Sequence, residues 1–391
     1  MIPRTARQTL LRLRDYYPVV AVTGPRQSGK TTLVRAAFPG EPYANLEEPD
    51  TRDFATTDPR GFLARYPDGA VLDEVQRVPA LLSYLQAAVD ADKRLGRWVL
   101  TGSQQLGLLG GLSQSLAGRV GYLHLLPFSL QEIAAKHVPK SLEGLLWAGG
   151  YPPIHDRGVP PPVWLRDYVQ SYVERDVRQM VNVRDLGAFQ RFVRMCAMRT
   201  GQVLNLSALA ADCGITHNTA RGWLTVLEAS YVAFTLPSWH RNVGKRLVKA
   251  PRLHFYDSGL AAWLAGVGDS KALGLSSLRG PLFESWVVSE VMKHRFNRLQ
   301  DFACSYFRDS NGNEVDLVLE SAGRAIAVEI KSGATLAGDW FRGLRRFADL
   351  AGDVQPVLIY GGEGAFEREG VAVYGWRSVP DWLRSLGPAE A

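Results

Sequence analysis

An apolar, β-branched run, Val19-Val20-Ala21-Val22, leads into Gly24-Pro25-Arg26-Gln27-Ser28-Gly29-Lys30-Thr31, and the chain continues through Thr32 and Leu33 to Phe38 in a helical pattern. Strand, glycine-rich loop, helix is the setting in which the GxxxxGK[ST] pattern carries a mechanism, and it commits the chain to an α/β fold. A triphosphate needs a concave cradle of backbone N–H groups, and glycine lets the main chain approach phosphate oxygens without a Cβ in the way. The start of the helix adds partial positive charge. On this reading Gly24, Pro25, Arg26, Gln27, Ser28, Gly29, Lys30, Thr31 and Thr32 form a cradle for ATP. Lys30 reaches the β- and γ-phosphates, and the Thr31 hydroxyl ligates Mg²⁺.

Gly69-Ala70-Val71-Leu72-Asp73-Glu74 reads as a second apolar strand, ending in adjacent carboxylates. Such a pair is costly at the end of a buried strand unless it serves a cation or a water. Asp73 suits contact with Mg²⁺ through its water shell, and Glu74 suits the base that polarises the water attacking the γ-phosphate. The strand from Arg97 ends in Thr101, Ser103 and Gln104, and ligands of parallel sheets gather beyond the carboxyl ends of strands. Any of these three can meet the γ-phosphate or the lytic water. Arg119, just before the strand Gly121-Tyr122-Leu123-His124-Leu125, is either an arginine finger for a neighbouring subunit or half of a surface ion pair.

Length and composition set outer bounds. The 391 residues leave room for two or three domains, and 46% apolar with 21% charged residues is a globular balance. No run of about 18 apolar residues spans a bilayer, and Arg4, Arg7, Arg12 and Arg14 break up the N-terminus where a signal peptide needs an apolar core. A cytoplasmic protein with no membrane partner is expected. Cys196, Cys213 and Cys304 are too few and too scattered for a disulfide framework or a zinc site. The formal charge of +6 is a weak pointer to a polyanion.

Residues 131–200 are helical in pattern, with Tyr168, Tyr172, Val173, Val177 and Val181 at helical spacing, and read as a lid or linker. Tyr151-Pro152-Pro153 and Pro160-Pro161-Pro162 are expected to break this block from the core. Arg175 and Arg178 are either nucleotide sensors or part of a solvated helix face. From Leu206 to Leu224 the pattern is helix, Gly214 turn, helix, with Ser207 and Thr216 as expected N-caps. The strands Tyr231–Leu236 and Leu253–Tyr256 flank a stretch holding Trp239, His240, Arg241, Lys245, Arg246, Lys249 and Arg252 and no acid. This is a winged-helix pattern. If it meets DNA, His217, Asn218 and Arg221 face a groove while Arg241, Lys245, Arg246 and Lys249 neutralise phosphates; otherwise it is a lid or subunit contact.

The C-terminal part opens with a helix carrying Glu284. A hairpin around Asn311-Gly312-Asn313 follows, then the strand Ala325-Ile326-Ala327-Val328-Glu329-Ile330-Lys331. Glu329 and Lys331 share a strand face, with Asp316 beside them and Glu284 reaching in from the helix. Carboxylates suit Mg²⁺ or Mn²⁺, and a lysine beside the metal helps position a water for phosphodiester attack. Glu284, Asp316 and Glu329 are thus candidate metal ligands, and Asp316, Glu329 and Lys331 candidate catalytic residues. The set resembles the PD-(D/E)xK nuclease fold, with Val315 where the name has proline.

Taken in order, GPRQSGKTTL, AVLDEVQ, VLTGSQQL, SLAGRVGYLHLLPFSLQE, GGYPPI and YVERDVRQM resemble the prokaryotic AAA+ ATPases that carry a C-terminal nuclease-like region. The resemblance implies a sheet of strand order 5-1-4-3-2 and an ATP site completed at a subunit boundary, hence a homo-oligomer, ring-shaped if Arg119 acts in trans. The divisions expected are an ATPase core at 1–130, a helical lid or linker at 131–200, a winged helix at 201–272 and a nuclease-like domain at 273–391. Two functions stand against each other. One is an ATPase that remodels or translocates on DNA; the other is a nucleotide-gated interaction protein, of toxin or defence type, whose nuclease-like domain is a binding platform.

Overall fold

The structure, a computed structural model, describes residues 1–103, 116–171, 185–239, 250–321 and 323–387. Gln104, Tyr172, Val173, Arg175, Val177, Arg178, Val181, His240, Arg241, Lys245, Arg246 and Lys249 lie outside the described residues. Two compact units are present: Met1–Phe128 with Ala229–Tyr231 and Phe296–Leu299, and a second unit made of the rest.

In the first unit β1 (Val19–Thr23), β2 (Tyr43–Asn45), β3 (Ala70–Asp73), β4 (Trp98–Gly102) and β5 (Val120–His124) form a parallel sheet in the order β2-β3-β4-β1-β5. This is the expected 5-1-4-3-2 order. Strands β1, β3 and β4 are buried at every position, as a parallel sheet covered on both faces requires. Alternation divides β1 between two cores. Val20 and Val22 pack with Leu10 and Leu13 of α1 (Ala6–Tyr16) and Leu33 and Val34 of α2 (Lys30–Ala37). Val19 and Ala21 pack with Leu72, Leu100 and, from α3 (Leu81–Ala91), Leu81 and Leu85. That sandwich fixes the carboxyl ends of β1, β3 and β4 side by side.

The second unit begins with short helices. Pro152 opens the helix Pro152–Asp156 and Pro161 opens Pro161–Tyr168. A helix's first turn has no use for the N–H that proline lacks, and proline's fixed φ suits it. Next come α4 (Leu186–Met198), β6 (Gln202–Val203), α5 (Leu206–Cys213), α6 (His217–Ala229), β7 (Ala233–Leu236) and β8 (Arg252–Phe255), the strands forming an antiparallel sheet ordered β6-β8-β7. Gly214 turns α5 toward α6 in the left-handed region, and Thr216 caps α6 by accepting from the Thr219 N–H at 3.1 Å. The cap of α5 is Asn205 rather than Ser207, its Oδ1 accepting from the Ala208 N–H at 3.0 Å.

After α7 (Arg279–Arg298) the chain builds β9 (Ala303–Arg308), β10 (Glu314–Ser321), β11 (Arg324–Lys331), α8 (Arg342–Ala351), β12 (Val354–Tyr360), β13 (Ala365–Arg368) and β14 (Val371–Gly375). The sheet order is β13-β14-β12-β11-β10-β9, with β11, β12 and β14 parallel and the remaining pairings antiparallel. The β9–β10 turn is held by Asp309 Oδ1, which accepts from the Asn311 and Asn313 N–H groups at 2.9 Å each. Leu344 and Phe347 of α8 pack on Val315, Val318, Ala327 and Leu358. Trp239, from the stretch that holds no acid, is buried in that core against Phe347. No helix among the described residues is long and apolar enough to cross a membrane.

Candidate active site

The loop between β1 and α2 is shaped by backbone that only certain residues accept. Gly24 sits at φ +153° and a Cβ there would lie 2.1 Å from the Leu125 carbonyl oxygen, so glycine is required. Gln27 (φ +59°) and Gly29 (φ +93°) are left-handed, curling the chain before α2 begins at Lys30. Lys30 is buried, and its Nζ donates to the Gly24 and Pro25 carbonyls at 3.0 and 2.9 Å. Burial lowers its pKa to about 8, with Glu74 and Asp73 pulling the other way. Ser28 Oγ is buried and has no hydrogen-bond partner among the described residues. Thr32 is exposed on α2, and Arg26 is paired with Glu47 at 3.3 Å.

Opposite the loop, Asp73 closes β3. Its carboxylate accepts from the hydroxyls of Thr31 at 2.9 Å, Tyr43 at 2.5 Å and Thr101. Burial and that hydrogen bond hold the Tyr43 phenol well above its ordinary pKa, so it stays a donor. Glu74 turns off the strand at φ +58°, its N–H donating to Thr101 Oγ1 at 3.2 Å. Its carboxylate meets the Gln76 side-chain amide and lies 3.4 Å from Ser103 Oγ, and Gln76 Nε2 also donates to Ser103 at 3.0 Å. Lys30, Thr31, Asp73, Glu74, Thr101 and Ser103 are thereby gathered at one end of the sheet. Thr31 and Asp73 present only hard oxygen atoms to one another, a donor set that fits Mg²⁺.

Arg119 lies at the other end. It precedes β5, whose Val120 pairs with Val19 at the start of β1, and its guanidinium grips Asp90 at 2.5 and 3.0 Å. A five-residue strand spans about 16 Å, so Arg119 serves no nucleotide in its own loop.

Residues that sequence reasoning passed over support the loop. Arg4, read only as a break in an apolar N-terminus, donates to the carbonyls of Ser28 at 3.0 Å and Leu126 at 2.6 Å and stacks on Phe128. Thr23, the last residue before the loop, shares a hydrogen-bonded triangle with His124 Nδ1 (2.8 Å) and Tyr231 Oη (2.7 Å). No local pattern marks either contact, because their partners are distant in sequence.

In the second unit Asp316, Glu329, Lys331 and Glu284 come together as expected. Lys331 Nζ contacts Glu329 and lies 3.8 Å from Asp316, which also accepts from the Ile330 N–H at 2.9 Å. Burial and Asp316 push Glu329 upward in pKa while Lys331 pulls it down; burial also raises Glu284. Between them stands a residue the sequence did not suggest. Arg252, at the start of β8, is buried and ion-paired to Glu284, Glu314 and Asp316. Burial opposes its charge, but those carboxylates outweigh the cost and raise its pKa. On α6, Asn218 and Arg221 are exposed and His217 is half-buried.

Residues 16–134 match the AAA domain family, residues 139–271 a Domain of unknown function (DUF8612) and residues 279–379 a Domain of unknown function (DUF4143). Among solved structures, the Walker-type ATPase PABY2304 of Pyrococcus abyssi is similar with a TM-score of 0.44 and 15% identity, over 66% of this chain and 94% of that one, too loose a likeness to argue from. Uncharacterized protein Mb2031c of Mycobacterium bovis and Uncharacterized protein Rv2008c of Mycobacterium tuberculosis are each 30% identical over 336 residues, spanning 85% of this chain and 74% of theirs. The chain is therefore a member of the family that includes Mb2031c and Rv2008c, with an AAA-type ATPase domain at residues 16–134.

Proposed function

We propose that this protein is a cytoplasmic, Mg²⁺-dependent ATPase that couples nucleotide turnover to DNA held by its second unit. The observation that carries the reading is the meeting of Lys30 and Thr31 with Asp73 and Glu74 at the carboxyl ends of β1 and β3. In this reading the loop N–H groups and Lys30 bind the phosphates, while Thr31 and Asp73 hold Mg²⁺. Bound Mg²⁺ supplies neutralisation of charge on the phosphoryl oxygens. Glu74, kept off the strand axis and steadied by Gln76 and Ser103, orients the lytic water and accepts its proton. Arg119 completes the site of a neighbouring copy in a homo-oligomer.

The divisions at 130 and 272 are supported by the family matches, which change over between 134 and 139 and between 271 and 279. For residues 201–272 a winged helix is supported by the order α5, α6, β7, β8 with β6 pairing β8. In this reading His217, Asn218 and Arg221 of α6 enter a groove while Arg241, Lys245, Arg246 and Lys249 neutralise phosphates, and the exposure of Asn218 and Arg221 supports it. Duplex, single-stranded and branched DNA should be compared as stimulants of ATPase activity. Stimulation that falls with a log–log salt slope of about 0.9 per phosphate contacted supports the reading; turnover indifferent to all DNA at low salt refutes the coupling.

A second reading is favoured by Arg252. With its guanidinium among the carboxylates of β10 and α7, the 273–391 domain acts as a nuclease-like binding platform within a nucleotide-gated assembly rather than as the cutting element.

A further inference from the structure

Arg252 Nη1 donates to Glu284 Oε1 at 2.6 Å and to Asp316 Oδ1 at 3.1 Å, and Nη2 lies 2.9 Å from Glu314 Oε2. The side chain is 3% exposed and stacks over the Tyr306 ring, 4.7 Å from its centroid. A divalent cation serving Asp316 and Glu284 has to sit about 2.0–2.6 Å from an oxygen of each, which is the gap that Nη1 already fills. Arginine stays charged at any pH at which proteins fold, so it does not vacate that gap by losing a proton. Among the described residues no group of three His, Cys, Asp or Glu side chains is disposed to hold a metal. With Arg252 in place, the carboxylates expected to ligate Mg²⁺ or Mn²⁺ do not fit one.

We infer that the Arg252 guanidinium is the resident cation of this cluster, standing in for a divalent metal and closing the Asp316, Glu329 and Lys331 site to metal-dependent cleavage. This rests on reading those three residues as a nuclease-like set. The guanidinium comes from β8, whose strand partners among the described residues are β6 and β7, whereas the carboxylates come from α7, β10 and β11. One side chain therefore ties the three-stranded sheet to the six-stranded one through charge. Glu329 Oε2 is buried and has no hydrogen-bond partner among the described residues. The oxygen atoms for a metal are thus retained, and what excludes the ion is the arginine.

The test is a Mn²⁺ titration of the full chain, without nucleotide, followed by electron paramagnetic resonance. Wild type, Asp316→Asn, Arg252→Met and the Arg252→Met/Asp316→Asn double variant are compared. Wild type and Asp316→Asn should bind alike, whereas Arg252→Met should gain a site at least about tenfold tighter than any in wild type, lost again in the double variant. An Asp316-dependent Mn²⁺ site in wild type overturns the inference and leaves the nuclease-like reading intact. A folded Arg252→Met that gains no site overturns both. If Arg252→Met does not fold, Arg252→Gln supplies the opened cluster, and the comparison of wild type with Asp316→Asn still decides whether the native site excludes metal.

Discussion

Asp73 accepts hydrogen bonds from three hydroxyls, while Glu74 is swung by a left-handed backbone toward Gln76 and Ser103. Left-handed φ is costly for a non-glycine residue, by about 1–3 kcal/mol, and such strain gathers where function holds it. The two neighbours therefore face different tasks, and substitution should separate them. Glu74→Gln keeps the shape and removes the base, so ATP affinity should stay near the wild-type value while turnover falls by about 10²–10⁴. Single-turnover hydrolysis beside equilibrium binding checks this, and unchanged turnover would remove Glu74 from the mechanism. At another residue the physics concerns stability. Burial lowers His155 to a pKa of about 4, against the hydrogen bond of its Nε2 with the Gly149 carbonyl oxygen at 2.8 Å. Between pH 6.5 and 4 the unfolded chain takes up a proton that folded His155 refuses, so stability is complete above 6.5 and declines as pH falls. The loss at pH 5 amounts to about 2 kcal/mol. Denaturant unfolding of wild type and His155→Gln at pH 8 and pH 5 reads it: the wild type's sensitivity should exceed the variant's by about that amount.

At the scale of elements, the phosphate loop is a backbone device. In Gly24→Ala the new Cβ must displace the Leu125 carbonyl, and a melt should show destabilisation of about 1–3 kcal/mol together with weaker ATP binding. A variant as stable and as tight-binding as wild type would mean the loop has another conformation. This loop was legible beforehand because its glycine spacing and the apolar runs of β1 and β3 are local. The β9–β10 hairpin was legible for the same reason, its turn being written in Asn311-Gly312-Asn313 and locked by Asp309. The helix starts at Pro152 and Pro161 were not legible, because proline stops a helix from within and starts one from its first turn, and sequence alone does not say which. Arg252 was hidden more deeply. It sits in a basic stretch that suggests a surface, yet its partner Asp316 lies 64 residues along, and only tertiary packing brings a carboxylate cluster to it. Arg4 is the same kind of case, reaching Leu126 across 122 residues.

Across the whole molecule, an AAA-type domain is followed by a helix-turn-helix with a three-stranded sheet and then by a mixed six-stranded sheet bearing carboxylates, a lysine and an arginine. Arg119, before β5 and paired with Asp90, stands at the amino ends of the strands, so the proposed trans role predicts that a non-hydrolysable ATP analogue raises the mass of the assembly, and a monomer with and without it would leave Arg119 as half of an ion pair. The proposed functions of the downstream elements all depend on the first unit holding a magnesium nucleotide. Isothermal titration of the purified wild-type chain with ATP and with ADP in the presence of Mg²⁺ tests that directly. The account predicts saturable binding of at least one of them at about one per chain, weakened about tenfold or more by Lys30→Ala; no binding of either nucleotide to folded wild-type protein would contradict it.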